Sequence, residues 1–207
     1  MSRVATRPLA IDRDDCTWYT PYYCEENVYR LCRSVREVAP DTAADVVFVS
    51  NKARQDYHVI MIMPIKPALK PAQAAPATAA AAAATAYVYD LDSVLPFPAA
   101  FGEYVARALR TDAAARLPAQ YQRNFRVVPA SLFLEHFASD RSHMLNKDGS
   151  WTAEPPIAPC IATEASTMNL SEYVSMETNL DSATFGKVYT EAEFVAKYAQ
   201  PPAPAES

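Results

Sequence analysis

The stretch YHVIMIM, Tyr57–Met63, decides the fold of this chain. After Tyr57 and His58, every one of its residues is apolar. A strand that is apolar at each position has no face left for water, so this run predicts a central strand buried on both sides. The rest of the architecture is arranged around it.

Three further stretches predict strands: DVVFVS (45–50), AYVYDLD (86–92) and FRVVPA (125–130). Helices are predicted mainly outside this group. They are CEENVYRLCRSVREV from Cys24, ending before Pro40; 99–110; 131–137 with Ser131 as N-cap; one starting near Asn169; and 190–199, where Thr190 and Glu193 have capping-box spacing. Helices at both ends with strands between them predict an α+β fold, an antiparallel sheet packed with helices.

The first helix places a cysteine at its start. Glu25 and Glu26 occupy its first turn, where negative charge complements the helix dipole. Unpaired amides and the dipole at a helix start favour a thiolate, so Cys24 is a candidate nucleophile with a lowered pKa. The alternative is a small apolar residue of the helix, whose buried stripe is formed by Val28, Leu31, Cys32 and Val35.

A base and an orienting carboxylate are predicted by the strands. His58 begins one strand and Asp90 lies near the end of another, so antiparallel pairing would make them neighbours at one end of the sheet. With Cys24 they give the Cys–His–Asp order and layout of papain-like and transglutaminase-like enzymes. Two alternatives stay open from the residues alone: His58 as a satisfied core histidine, and Asp92, two residues further on the same strand face, in place of Asp90.

Eight collinear stretches between Cys16 and Phe194 together resemble the protein N-terminal glutamine amidohydrolase family. They are YYCEENVYRLC, DYHVI, YVYDLDSVLPFP, FRVVPA, FASDRSHM, PPIAPCI, MNLSEYVSM and VYTEAEF. The resemblance implies a fold related to the papain and transglutaminase group. It also implies that Cys24 is the nucleophile, His58 the catalytic histidine, and Asp90 the third member of the triad. The chain departs from the family in its long Pro/Ala-rich stretch between His58 and Asp90.

The implied reaction converts a glutamine at a free N-terminus of a protein or peptide to glutamate and releases ammonia through a thioester. In the family this product enters the N-degron degradation pathway, in the cytosol and nucleus. Recognition of the free amine calls for a carboxylate, and Glu25, Glu26 and Asp140 are the candidates. Glu25 and Glu26 equally fit solvated residues of a first helical turn. Other functions with the same fold are a cysteine protease, a transglutaminase-like acyl transferase, and a catalytically silent interaction module.

Composition limits the partners and cofactors. The chain has 207 residues and a net charge of -5, which gives no electrostatic footprint for nucleic acid or an anionic membrane surface. The spacing of Cys16, Cys24 and Cys32 matches no zinc motif, and no metal or organic cofactor is expected. We expect a monomeric cytoplasmic or nuclear protein with no membrane partner. Its predicted organisation is a flexible segment (1–15), one catalytic domain (16–199) with a Pro/Ala-rich insertion at about 64–85, and a flexible tail (200–207).

Overall fold

A six-stranded antiparallel sheet forms the centre of the computed structural model, which describes residues 7–52, 56–65 and 85–199. The spatial order of the strands is β4-β3-β2-β1-β5-β6. The strands are β1 (Asp45–Asn51), β2 (Tyr57–Pro64), β3 (Ala86–Tyr89), β4 (Ala99–Ala100), β5 (Arg123–Pro129) and β6 (Lys187–Thr190). All four predicted strands are present, whereas β4 and β6 were not predicted.

The position of β2 confirms that YHVIMIM is a central strand. It pairs with β1 on one side and with β3 on the other, both antiparallel. Its residues from Val59 to Met63 are buried because helices cover both faces of the sheet. Val59 and Met61 belong to the core beneath the first helix, while Ile60 and Ile62 belong to the core on the opposite face.

Seven α-helices surround the sheet in the part of the chain that the structure describes. They are α1 (Cys24–Val38), α2 (Phe101–Tyr104), α3 (Thr111–Ala114), α4 (Ala130–His136), α5 (Leu170–Val174), α6 (Ser182–Phe185) and α7 (Glu191–Ala199). A π-helical turn, Val105–Leu109, continues α2, so the predicted 99–110 helix is present but irregular. No helix among these residues is long and apolar enough to cross a membrane.

The predicted helix starts, with their capping residues, are confirmed at one helix and wrong at another. The capping box is confirmed: the Thr190 backbone N–H donates to Glu193 at 2.9 Å, and the Glu193 N–H donates to the Thr190 hydroxyl at 3.4 Å. The prediction of Ser131 as an N-cap is wrong, because α4 begins one residue earlier with Pro129 at that position. The helix expected near Asn169 begins directly after it.

The strand predicted for 86–92 ends early, at Tyr89. The Asp90 side chain accepts a hydrogen bond from the Asp92 backbone N–H at 3.0 Å. Such a local bond offers the backbone a turn in place of a sheet ladder. Asp90 and Asp92 therefore lie in the loop after β3. The alternation of side chains along a strand, which placed both on the same face, does not apply to them.

Residues 7–15, expected to belong to a flexible segment, pack against the domain. Leu9 and Ile11 contact the core, and the Leu9 carbonyl accepts a 2.9 Å bond from the Tyr89 hydroxyl. Most of the Pro/Ala-rich stretch lies outside the described residues. Its flanking residues are joined, because the Ile65 N–H donates to the Thr85 carbonyl at 2.8 Å.

Arg126 should be a main determinant of stability. It is 1% exposed in the middle of β5, and its guanidinium donates to the carbonyls of Ser175, Glu177 and Phe185. Replacing it by methionine (Arg126→Met) leaves these acceptors unpaired, so we expect a loss of about 3 kcal/mol or more in the free energy of unfolding. Urea unfolding measures this, with the exposed Arg116→Met as a control expected to change stability by less than about 0.5 kcal/mol. Equal effects of the two variants would contradict the assignment.

Candidate active site

A cleft of 830 Å³ opens where the start of α1 meets one end of the sheet. The start of β2 and the loop after β3 reach the same place, together with a 3₁₀ turn, Ser142–Met144. The cleft therefore collects side chains from four parts of the chain. It is lined by Tyr19, Pro21, Tyr22, Cys24, Asp56, Tyr57, His58, Asp92, His143, Met144 and Thr152.

Cys24 is fixed in this cleft by the way the chain enters α1. Its position is the first of the helix, and the preceding Tyr23 provides no side-chain cap for the first amides. The Asn27 side chain bonds both backbone groups of Thr20, at 3.0 Å and 2.8 Å. Tyr22 adopts a left-handed φ of 70°, an uncommon conformation for a non-glycine residue. The entry is thus held in one geometry, with Cys24 at the cleft and Tyr22 exposed beside it.

The ionisation of Cys24 differs from the sequence-based expectation. The helix start was expected to lower the thiol pKa, but burial and the adjacent Glu25 carboxylate raise it well above its ordinary value. The Val59 backbone N–H acts in the opposite sense without outweighing them. The prediction of a lowered pKa is wrong, because it considered only the helix dipole and not burial or Glu25.

His58 and Asp90 form a hydrogen-bonded pair, which confirms that antiparallel strands bring them together. His58 Nε2 lies 3.0 Å from Asp90 Oδ1, and the Tyr104 hydroxyl donates to Asp90 Oδ2 at 2.7 Å. Burial alone would lower the pKa of His58, but the hydrogen bond and charge of Asp90 outweigh it and raise that pKa. Burial opposes the charge on Asp90 as well, yet its hydrogen bonds leave the pKa of Asp90 lowered. Asp90 therefore stabilises the imidazolium that forms when His58 accepts a proton.

Asp92 lies further from the imidazole than Asp90. One of its carboxylate oxygens is 4.0 Å from His58 Nδ1, and the other accepts a bond from the Tyr19 hydroxyl. Asp92 is 36% exposed, against 7% for Asp90. Only Asp90 is both buried and in hydrogen-bond contact with His58.

His58, Asp90 and Asp92 also form the one group of potential metal-ligating side chains found among the described residues. The hydrogen bond between His58 and Asp90, and that from the Asp92 N–H to Asp90, account for their proximity without an ion.

Glu26 is a buried structural residue, not a solvated one. It is fully buried, and the Arg141 guanidinium donates to its two oxygens at 2.7 Å and 2.9 Å. Arg141 also donates to the carbonyls of Pro156 and Ala158. These hydrogen bonds hold the loop after Arg141 against the first turn of α1. The same loop carries His143 into the cleft.

Glu25 is buried as well, but its charge is not neutralised in the same way. It is 0% exposed, with Oε2 accepting a 3.0 Å bond from the Tyr57 hydroxyl and lying 3.7 Å from the Cys24 thiol. Oε1 has no hydrogen-bond partner, and His143 Nε2 lies 3.4 Å away. The idea that Glu25 is a solvated first-turn residue is therefore wrong. Asp140, the third candidate, is exposed, and its carboxylate accepts a bond from the Ser142 N–H at 2.9 Å.

Comparison with known proteins places this chain in a family. Residues 19–55 and 55–198 match the N-terminal glutamine amidase family. The protein N-terminal glutamine amidohydrolase of Arabidopsis thaliana is 41% identical over 199 residues, covering 85% of this chain and 82% of that protein. Those of Bos taurus and Homo sapiens are each 33% identical over 211 residues, covering 93% of this chain and 91% and 92% of theirs. The chain belongs to the N-terminal glutamine amidase family.

Within this N-terminal glutamine amidase fold, local sequence patterns missed four residues that organise the cleft. Tyr57 and His143 contact Glu25, Tyr104 contacts Asp90, and Arg141 contacts Glu26. Each contact joins residues distant in sequence. Three of these residues could have been suspected from their place in the family motifs. Tyr57 directly precedes His58, and Arg141 and His143 lie within FASDRSHM.

The charge of Asp90 should be visible in the titration of His58. Replacing it by asparagine (Asp90→Asn) removes the negative charge that favours the imidazolium, so the pKa of His58 should fall by about one unit or more. Proton–nitrogen NMR of the imidazole measures the shift, and His136, which lies on α4, serves as an internal reference. An unchanged His58 titration would show that the contact does not control its protonation.

Proposed function

We propose that this chain hydrolyses the side-chain carboxamide of an N-terminal glutamine to glutamate and releases ammonia. Membership of the family supports this, as do relatives named protein N-terminal glutamine amidohydrolase. The observation that carries the proposal is the cleft itself. Cys24, at a helix start, shares it with His58, and His58 is hydrogen-bonded to a buried carboxylate.

In the proposed reaction Cys24 is the nucleophile, His58 the acid and base, and Asp90 the group that orients His58. Since Nε2 is engaged with Asp90, proton exchange runs through Nδ1. After the thiol proton has passed to Nδ1, the Cys24 sulfur attacks the carboxamide carbon, and the imidazolium protonates the departing nitrogen, which leaves as ammonia. Water, deprotonated by His58, then hydrolyses the thioester and restores the thiol. The backbone N–H of Cys24, at the uncapped helix start, is our candidate donor to the oxyanion.

The proposed selectivity for a first residue depends on its α-ammonium group. Of the three candidate carboxylates, Glu25 is the one suited to this group, because Glu26 is already paired with Arg141 and Asp140 is exposed. Asp56 and Asp92 add negative charge to the cleft lining. Asparagine is one methylene shorter than glutamine, so an anchored amine would hold its carboxamide away from the sulfur.

We further propose that the chain acts as a monomer in the cytosol and nucleus, where its products enter the N-degron pathway. Its substrates are proteins or peptides with a free N-terminal glutamine. Nucleic acid and membranes are not proposed as partners, and 16–199 is the proposed catalytic domain.

Ammonia release tests the reaction and its nucleophile together. Peptides that begin with glutamine should release ammonia, whereas matched peptides beginning with asparagine or acetyl-glutamine should not. The variant Cys24→Ser should lower the rate at least about 10³-fold, because it removes the nucleophile. Circular dichroism checks that the variant is folded, and Cys160→Ser, which alters an exposed thiol, is the control. Peptide cleavage, or addition of an amine in place of water, would instead indicate a protease or a transamidase.

The choice of carboxylate is tested by a matched pair of variants. Asp90→Asn should lower kcat by about a hundredfold or more, because it removes the group that orients His58. Asp92→Asn should lower kcat by less than about tenfold, since Asp92 makes no hydrogen bond to the imidazole. Steady-state kinetics with a glutamine-initiated peptide measures both. A larger loss from Asp92→Asn would reverse the assignment.

A further inference from the structure

The side chains at the start of α1 place a carboxylate without a permanent cationic partner beside the proposed nucleophile. Glu25 is fully buried, and its Oε2 lies 3.7 Å from the sulfur of Cys24. A hydroxyl from Tyr57 donates to the same oxygen, while Oε1 has no hydrogen-bond partner. A buried carboxylate oxygen without a donor is a costly arrangement, and such exceptions in a folded protein call for an explanation.

Glu26, the next residue of the helix, is a buried carboxylate whose charge is balanced by a permanent cation. Arg141 binds both of its oxygens, and Arg30 lies 3.8 Å from one of them. Both residues are fully buried in the first turn of α1, but of the two only Glu25 contacts residues that line the cleft, Cys24 and His143. Glu25 has no permanent cation of this kind, since its one basic neighbour is the titratable His143, so a cation bound in the cleft can pair with it.

We infer that the α-ammonium group of the substrate pairs with Glu25 and thereby converts Cys24 from thiol to thiolate, so that amine recognition and activation of the nucleophile are one event. This inference rests on the proposed function and deepens it. A buried carboxylate close to a sulfur opposes a second negative charge there. A bound ammonium cancels that opposition.

The proton released by the sulfur has an acceptor in the same cleft. When the ammonium binds, the S–H bond of Cys24 breaks and an N–H bond forms at His58 Nδ1, giving a thiolate–imidazolium pair. The hydrogen bond from Nε2 to Asp90 stabilises the imidazolium. No further reactant is needed, because the substrate brings the charge. An internal or acetylated glutamine lacks this charge and would meet a neutral thiol.

The ionisation of Cys24 and Glu25 is influenced by groups from every element around them. The raised pKa of the free thiol, caused by burial and then by Glu25, agrees with the resting state that the inference requires. The groups that line the cleft or contact Glu25 and can change or carry charge are Tyr19, Asp56, Tyr57, His58, Asp92 and His143. Glu25→Gln leaves all of these in place and removes only the charge nearest the sulfur.

Alkylation of Cys24 by iodoacetamide in the full chain tests the coupling without requiring turnover. The alkylation rate of the peptide that contains Cys24 is followed by mass spectrometry over about two pH units on either side of neutral. In Glu25→Gln the midpoint should move to lower pH, with a rate at pH 7 at least about tenfold above that of the unaltered chain. The matched control, Glu37→Gln, makes the same change on an exposed residue of the last turn of α1 and should leave the profile unchanged. If Glu25→Gln does not fold, Glu25→Met provides an uncharged side chain of similar volume.

Kinetics with two peptides completes the test. The unaltered chain should strongly prefer a glutamine-initiated peptide to its acetylated form, and Glu25→Gln should reduce that preference at least about tenfold in kcat/KM. Loss of the preference with an unchanged alkylation profile would overturn the coupling and leave simple binding. A shifted profile with an intact preference would overturn the pairing of Glu25 with the amine. Failure of the unaltered chain to release ammonia would refute the proposed function, while the alkylation profile would still report on Glu25 and Cys24.

Discussion

The buried ion pair between Glu26 and Arg141 is the interaction on which the geometry of the cleft depends. It links the first turn of α1 to a loop 115 positions later in the chain. Removing one partner of such a pair leaves a buried charge unpaired and typically costs about 3–5 kcal/mol. Arg141 also donates to the carbonyls of Pro156 and Ala158, so one guanidinium joins the first turn of α1 to a second backbone segment.

Two adjacent glutamates thus have opposite electrostatic situations. Glu26 is held by a permanent cation and contributes to architecture, whereas Glu25 has only neutral or titratable neighbours, Tyr57 and His143. The difference follows from helix geometry, because successive residues point about 100° apart around the axis and therefore meet different parts of the protein. A single turn of helix then provides both a structural anchor, Glu26, and a carboxylate without a permanent cation beside Cys24.

Elements whose pattern is repeated along the chain could be predicted from the sequence. The uninterrupted apolar run of β2 and the helical stripe of α1 each depend on several residues, so one exception does not alter them. Single-residue inferences were less secure. Ser131 lost its capping role because Pro129 takes that position, and Asp90 ended β3 by bonding the Asp92 backbone.

The candidate site was predictable to the extent that strand pairing determines it. Antiparallel β2 and β3 bring His58 to Asp90, and the family motifs indicate the same residues. The environment of Cys24 could not be predicted, because the helix dipole is a local property and the burial of Glu25 is not. That burial arises from Tyr57 and His143, which reach the helix start from distant parts of the chain.

The pairing of β2 with β3 also separates His58 from the connection that begins a few residues later, after Pro64. His58 lies at one end of this hairpin, while Pro64 pairs with Ala86 at the other, about 20 Å away at the usual rise of a strand. Ile65 and Thr85 are hydrogen-bonded to each other there, so whatever joins them enters and leaves through one fixed point. Evolution can therefore lengthen or shorten this connection without moving His58. The same point offers protein engineers a place to graft a reporter domain onto the enzyme.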